Sequence, residues 1–156
     1  MAKTIRPSYS DFKKRSLDIT MTNHIHSAVA SQLYDLFDDT KYELSELNQS
    51  KQLVLNGPDN KLIKRGLDIS YLQGQKKAID AIDSILKNDS DDAAFKLNFT
   101  EFSTQVIKSF ESSAAKFKSL ALPTEDYDVV LAHHYSLMGQ KLIIDTVHTT
   151  ILNQTF

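Results

Sequence analysis

Cysteine is absent from this chain, so neither a disulfide framework nor a thiolate metal centre can form. Tryptophan is also absent, and glycine and proline are scarce, four and three in 156 residues. So few helix breakers favour long regular elements over loops. No glycine-rich phosphate loop and no Gly-x-Ser-x-Gly nucleophile turn occurs. No apolar run approaches the roughly 18 residues that a membrane-crossing helix needs, and the N-terminal stretch is too polar for a secretory leader. A surplus of charge of one sign is missing as well. The formal net charge is −2, which argues against a general nucleic-acid binder.

What is present is ordinary for a globular domain, with 41% hydrophobic and 24% charged residues. The charge is uneven. Residues 1–20 hold Lys3, Arg6, Lys13, Lys14 and Arg15 against Asp11 and Asp18, a surplus of three cations, which leaves −5 on the rest of the chain. Pro7 stands among Ser8, Tyr9 and Ser10, and no apolar stripe persists there. An extended basic arm over 1–20 is therefore expected, followed by one domain over 21–156.

The domain reads as four amphipathic helices. Ile25, Val29, Leu33, Leu36, Leu44, Leu47 and Val54 step by threes and fours, which predicts helix one from Thr20–Asn23 to near Leu55. Thr40 stands three before Glu43 in the form of a capping box, which predicts a break at Asp38–Asp39. The turn Asn-Gly-Pro-Asp-Asn at 56–60 separates it from helix two, about 59–87. A short Asn-Asp-Ser-Asp-Asp loop at 88–92 should cap helix three, about 91–120, whose stripe is Phe95, Phe99, Phe102, Val106, Phe110, Ala114 and Phe117. A third turn at 121–128 leads into helix four, about 124–152. Short links make neighbours antiparallel. The fold expected is an all-α, four-helix up-down-up-down bundle built from tandem hairpins 21–88 and 91–156, with an extended N-terminal arm.

The two hairpins resemble each other. Gly74 and Gly139 each open Gly-Gln-Lys, each stands sixteen residues after a proline (Pro58 and Pro123), and Ile-Asp follows at 79–80 and 144–145. A shift of 65 carries Tyr34 to Phe99, Phe37 to Phe102 and Glu46 to Glu111, and the closing pairs Ile85-Leu86 and Ile151-Leu152 slip by one. A helix-interior glycine costs about 1 kcal/mol relative to alanine. Two of them on apolar stripes predict helix-packing notches, filled by a close neighbouring helix or by a ring from the phenylalanines or Tyr42.

Chemistry is harder to find. Asp80-x-x-Asp83 and Asp145-x-x-His148 sit at equivalent places, with Glu46 and Glu111, and so raise the carboxylate pattern of di-metal bundles. At 100° per residue, however, Asp80 and Asp145 point away from the apolar stripes, so no metal or other cofactor is expected. His134, Lys141, Asp145 and His148 share a face of helix four that suits a protein partner. In the arm, Arg6, Tyr9, Phe12, Lys13, Lys14 and Arg15 are candidate partner-binding residues. Tyr9 and Phe12 beside cations could stack on bases, but docking on an acidic protein surface is the preferred reading, and nucleic acid is not the expected partner.

By elimination the chain is expected to be a non-enzymatic structural or adaptor subunit of a multi-copy assembly, homo- or hetero-oligomeric, without membrane attachment. In size, in its Lys/Asn/Ser-rich polar positions and in its lack of a catalytic motif it resembles accessory virion proteins of tailed bacteriophages, such as connector subunits. The resemblance implies a cytoplasmic or virion location. A small helical regulator of the inhibitor or immunity type is the second reading, and a metal- or ligand-binding bundle enzyme the third.

Overall fold

The computed structural model describes residues 24–49, 51–119 and 126–155, with the side chain of Gln52 excepted. The expected arm over 1–20 lies outside the described residues. The elements are α1 (His24–Gln49), α2 (Lys51–Asn56), α3 (Asp59–Asn88), α4 (Asp92–Ser119) and α5 (Tyr127–Asn153). Every regular element among the described residues is an α-helix, and the four long ones form a bundle.

Contacts along the helices fix their directions. α1 runs against α3: the Arg65 Nε donates to the Leu47 carbonyl at 2.8 Å near one end, and Leu33 and Phe37 face Ile79 and Asp83 near the other. α4 runs against α5, with Phe117 beside Tyr127 and Ser113 beside His134. At the opposite end Thr150 donates to Gln32 Oε1 at 2.6 Å, joining α5 to α1. The order is therefore up-down-up-down. α3 and α5, which run parallel, make the most extensive pair, with α1 flanking α3 and α4 flanking α5.

The core follows from the apolar stripes. Val29, Ile82, Phe95, Ile143 and Val147 have essentially no solvent exposure, and each is worth about 1.5–3 kcal/mol of burial. Phe95, Phe99 and Val106 of the phenylalanine stripe are buried, while Phe102, Phe110 and Phe117 are half-buried. The α3–α4 link does cap the next helix: Asp91 Oδ1 accepts from the Ala94 N–H at 2.8 Å.

Helix one departs from expectation at Thr40. α1 is continuous through Asp38–Thr40. Thr40 is buried, and its hydroxyl donates to the Leu36 carbonyl at 2.7 Å, four residues back, with the Gln75 amide oxygen 3.3 Å away. A threonine bonded back within its own helix cannot cap the next turn, so the capping-box pattern has no effect here. α1 ends at Gln49 and α2 begins at Lys51, and Ser50 between them lies outside the described residues.

The repeat is visible in the burial pattern. The buried α3 residues Leu72, Gly74, Ala78, Ile79, Ile82 and Leu86, shifted by 65, become Leu137, Gly139, Ile143, Ile144, Val147 and Ile151, all buried on α5. Leu86 thus matches Ile151, and the one-residue slip expected at the end does not occur. On the outer helices the shift is 66: Val29, Leu33 and Thr40 match Phe95, Phe99 and Val106. The expected pairing of Tyr34 with Phe99 is corrected, since Tyr34 is 72% exposed and Phe99 only 3%. Matched buried positions on the outer and inner helices are therefore one residue closer along the chain in the second hairpin.

Candidate functional site

Gly74 and Gly139 mark the place where α3 and α5 cross. A Cβ built on Gly74 would stand 1.9 Å from the Ser136 carbonyl oxygen, and one on Gly139 would stand 2.0 Å from the Tyr71 carbonyl oxygen. The two contacts are reciprocal. Ser136 is Tyr71 shifted by 65, as Gly139 is Gly74 shifted by 65. This is the relation expected of a local two-fold axis between two copies of one hairpin. The notches are filled by opposing backbone, neither by the phenylalanines nor by Tyr42, which is 67% exposed.

The conserved spacing of the motif now has a physical meaning within the chain. Glycine faces the crossing, and the Lys and Asp that follow lie on the outside, where Lys76 pairs with Asp80 and Lys141 with Asp145, each at 2.6 Å. These are exposed i,i+4 pairs, worth about 0.3–0.5 kcal/mol. No protein-family model, curated protein or solved structure matches the chain. Its chemistry has to be read from the residues alone.

Of the group expected on helix four, Asp145 and His148 are exposed and Lys141 is half-exposed at the same surface. His134 departs from them. Its ring stacks on Phe110 at 5.2 Å and on Phe117 at 5.9 Å, and its Nδ1 lies 3.2 Å from Ser113 Oγ. It belongs to the α4–α5 packing. Helical angles place a residue on its own helix but do not show which neighbour covers that edge. The arm residues Arg6, Tyr9, Phe12, Lys13, Lys14 and Arg15 lie outside the described residues.

Among the described residues no three His, Asp or Glu side chains converge as a metal-binding group. Asp80, Asp145 and His148 are all exposed, as the helical angles predict. No helix in the described residues is long and apolar enough to cross a membrane. Open grooves run between helix pairs. One of about 470 Å³ lies between α4 and α5, lined by Lys108, Ser112, Lys116, Val129 and His133 among others. Its counterpart between α1 and α3 is lined by Glu43, Glu46, Asp68 and Tyr71.

Sequence reasoning missed one polar cluster. At the bundle end Asp92 accepts from the backbone N–H groups of Ile25 and His26, both at 3.0 Å, and pairs with His26 Nδ1 at 2.7 Å. An aspartate in the first turn of α4 therefore also caps the N-terminus of α1. Burial pushes its carboxyl up, but the His26 ring bond, the two backbone bonds and the attraction of His26 together outweigh this and hold it below its ordinary value. The signal in sequence is the Asp-rich 88–92 stretch, which by itself marks only a cap for the helix that follows it.

Proposed function

We propose that this chain is a non-enzymatic structural or adaptor subunit of a multi-copy protein assembly, of the accessory or connector kind found in bacteriophage virions. The observation that carries the reading is the α3–α5 crossing. Bundle proteins that hold a cofactor do so between facing inner helices. Here that position is taken by backbone against backbone at Gly74 and Gly139. Chemistry-bearing side chains such as Asp80, Asp145 and His148 point outward. Large apolar residues stand exposed beside them, Met138, Leu142 and Leu152 among them. A rigid body with apolar outer surface suits contact with other proteins.

The test is native mass spectrometry and light scattering of the full chain, alone and with whatever protein accompanies it through purification. A defined multi-copy stoichiometry is expected. A strictly monomeric chain with no stable protein companion refutes the reading.

A further inference from the structure

The internal repeat supplies its own control at the seam between α1 and α3. An open groove of about 260 Å³ lies there, lined by Ala30, Leu33, Tyr34, Phe37 and Ile79 together with Asp80 and Asp83. Both carboxylates are already paired, Asp80 with Lys76 and Asp83 with Lys87. The rest of the lining is apolar or aromatic, with Tyr34 72% exposed and Phe37 half-buried. Shifted by 66, Ala30, Tyr34 and Phe37 become Lys96, Thr100 and Ser103 on α4. The fold thus accepts polar residues at all three places, yet the first hairpin has an alanine and two rings. The hairpins differ in one further respect. α4 is entered from α3 through residues 89–91, whereas α1 follows a segment that has no counterpart before α4.

From this contrast we infer that the groove is the seat of this chain's own residues 17–22, laid back along α1 in extended form with Leu17, Ile19 and Met21 against the apolar wall. That stretch, Leu-Asp-Ile-Thr-Met-Thr, alternates strictly between apolar and polar residues. A period of two is the mark of an extended segment with one covered face, and a helix would not bring 17, 19 and 21 to one side. The lengths agree. Ala30 to Phe37 stand about 9–20 Å beyond the start of α1 at 1.5 Å per residue. Met21, Ile19 and Leu17, counted back from His24 at about 3.3 Å per residue, reach roughly 10, 17 and 23 Å. The chain has to reverse at Thr22–Asn23, and asparagine is a turn-forming residue. It does not have to supply the cap of α1, because Asp92 already accepts from the N–H groups of Ile25 and His26. A foreign chain would compete with a segment tethered a few residues away, which a short linker holds at millimolar effective concentration. The inference stands apart from the assembly reading, since it concerns a contact within one molecule.

The chain has no cysteine, so an introduced disulfide reads the contact directly. Ala30→Cys is exposed on the groove and is combined in turn with Met21→Cys, which the lengths above bring level with it, and with Thr20→Cys and Thr22→Cys on the opposite side of the segment. Circular dichroism confirms that each variant keeps its helical signal. In oxidised-glutathione buffer the Met21 pair is expected to close at least about ten-fold faster than either neighbour, because only a seated segment distinguishes alternate positions. Adding Tyr34→Thr and Phe37→Ser, the residues of the second hairpin, should remove that preference; Tyr34→Thr alone, at an exposed position, should reduce it without disturbing the core. Equal rates for the three pairs mean a tethered but unseated segment and overturn the inference, whatever else covers the groove. A disulfide that joins two chains, at twice 17.6 kDa on a non-reducing gel, overturns it as well by placing the segment on a neighbour. Neither result refutes the assembly reading, which stoichiometry decides.

Discussion

Replacing Gly74 by alanine tests the physical core of this structure. The added Cβ would lie 1.9, 2.6 and 2.8 Å from the carbonyl oxygen, carbonyl carbon and Cα of Ser136. These are backbone atoms of α5 and cannot swing aside as a side-chain tip does. Ordinary contact begins near 3.4 Å, so the two helices must separate by roughly 1.5 Å. A gap of about 0.5–1 Å already forfeits a quarter to a half of each dispersion contact, and α3–α5 is the largest interface in the bundle. Overpacking costs about 1–3 kcal/mol where side chains can shift, and more where backbone must. The better helix propensity of alanine returns about 1 kcal/mol. The net expectation is a loss of about 3 kcal/mol, or roughly 6–12 °C in Tm for a chain of this size. Gly66 is the internal control. It lies on the same helix, is exposed, and has nothing within 4 Å of a built Cβ, so Gly66→Ala should stabilise by about 0.5–1 kcal/mol. Gly139→Ala should match Gly74→Ala. The double variant should cost far less than the sum, because one separation of the helices makes room for both methyls. Urea unfolding followed at 222 nm reads all four. A Gly74→Ala protein as stable as the wild type, or fully additive costs, would refute the reasoning.

Phe95→Ala removes a fully buried ring and should cost about 3–5 kcal/mol in the same assay; a loss below 1 kcal/mol would mean the core is not where it is drawn. Asp92→Asn weakens the cap on α1 and should cost about 1 kcal/mol at neutral pH. Because the folded-state pKa of Asp92 lies below its ordinary 3.8, its stabilisation is complete above that value and is lost as pH falls through the folded pKa. The stability–pH curve of the variant should lack this part of the acid limb, and identical acid limbs would count against it.

Much of this architecture is legible in the sequence, for reasons that vary by residue. The phenylalanine stripe of α4 is read directly from a 3.6 period, because burial on one face is what that period encodes. The two glycines stand out because each is costly in a helix unless packing repays it. Thr40 misleads because a capping box is a local pattern, while a buried threonine between Leu36 and Gln75 answers to its neighbours in space. The outer-helix register misleads for a related reason: Tyr34 and Phe99 are alike in chemistry, but the fold repeats position, and position pairs Phe99 with Leu33. His134 has the right helical angle for an outer face, yet the rings of Phe110 and Phe117 cover that edge. The Asp92 cluster joins the starts of two helices 66 residues apart, a distance no local pattern spans.

The reciprocity of the glycine crossing has one more consequence. A lone hairpin meeting its own twin could form the same junction, its Gly74 resting on the Tyr71 carbonyl of the other molecule, since main-chain atoms are common to every sequence. Fusing two such twins end to end would turn a symmetric ancestor into one gene product whose halves no longer had to mutate in step. Halves joined in this way need not match away from the crossing: Met138, Leu142 and Leu152 stand on α5 where α3 has Gln73, Lys77 and Lys87, and the junction of the two helices is untouched by the difference.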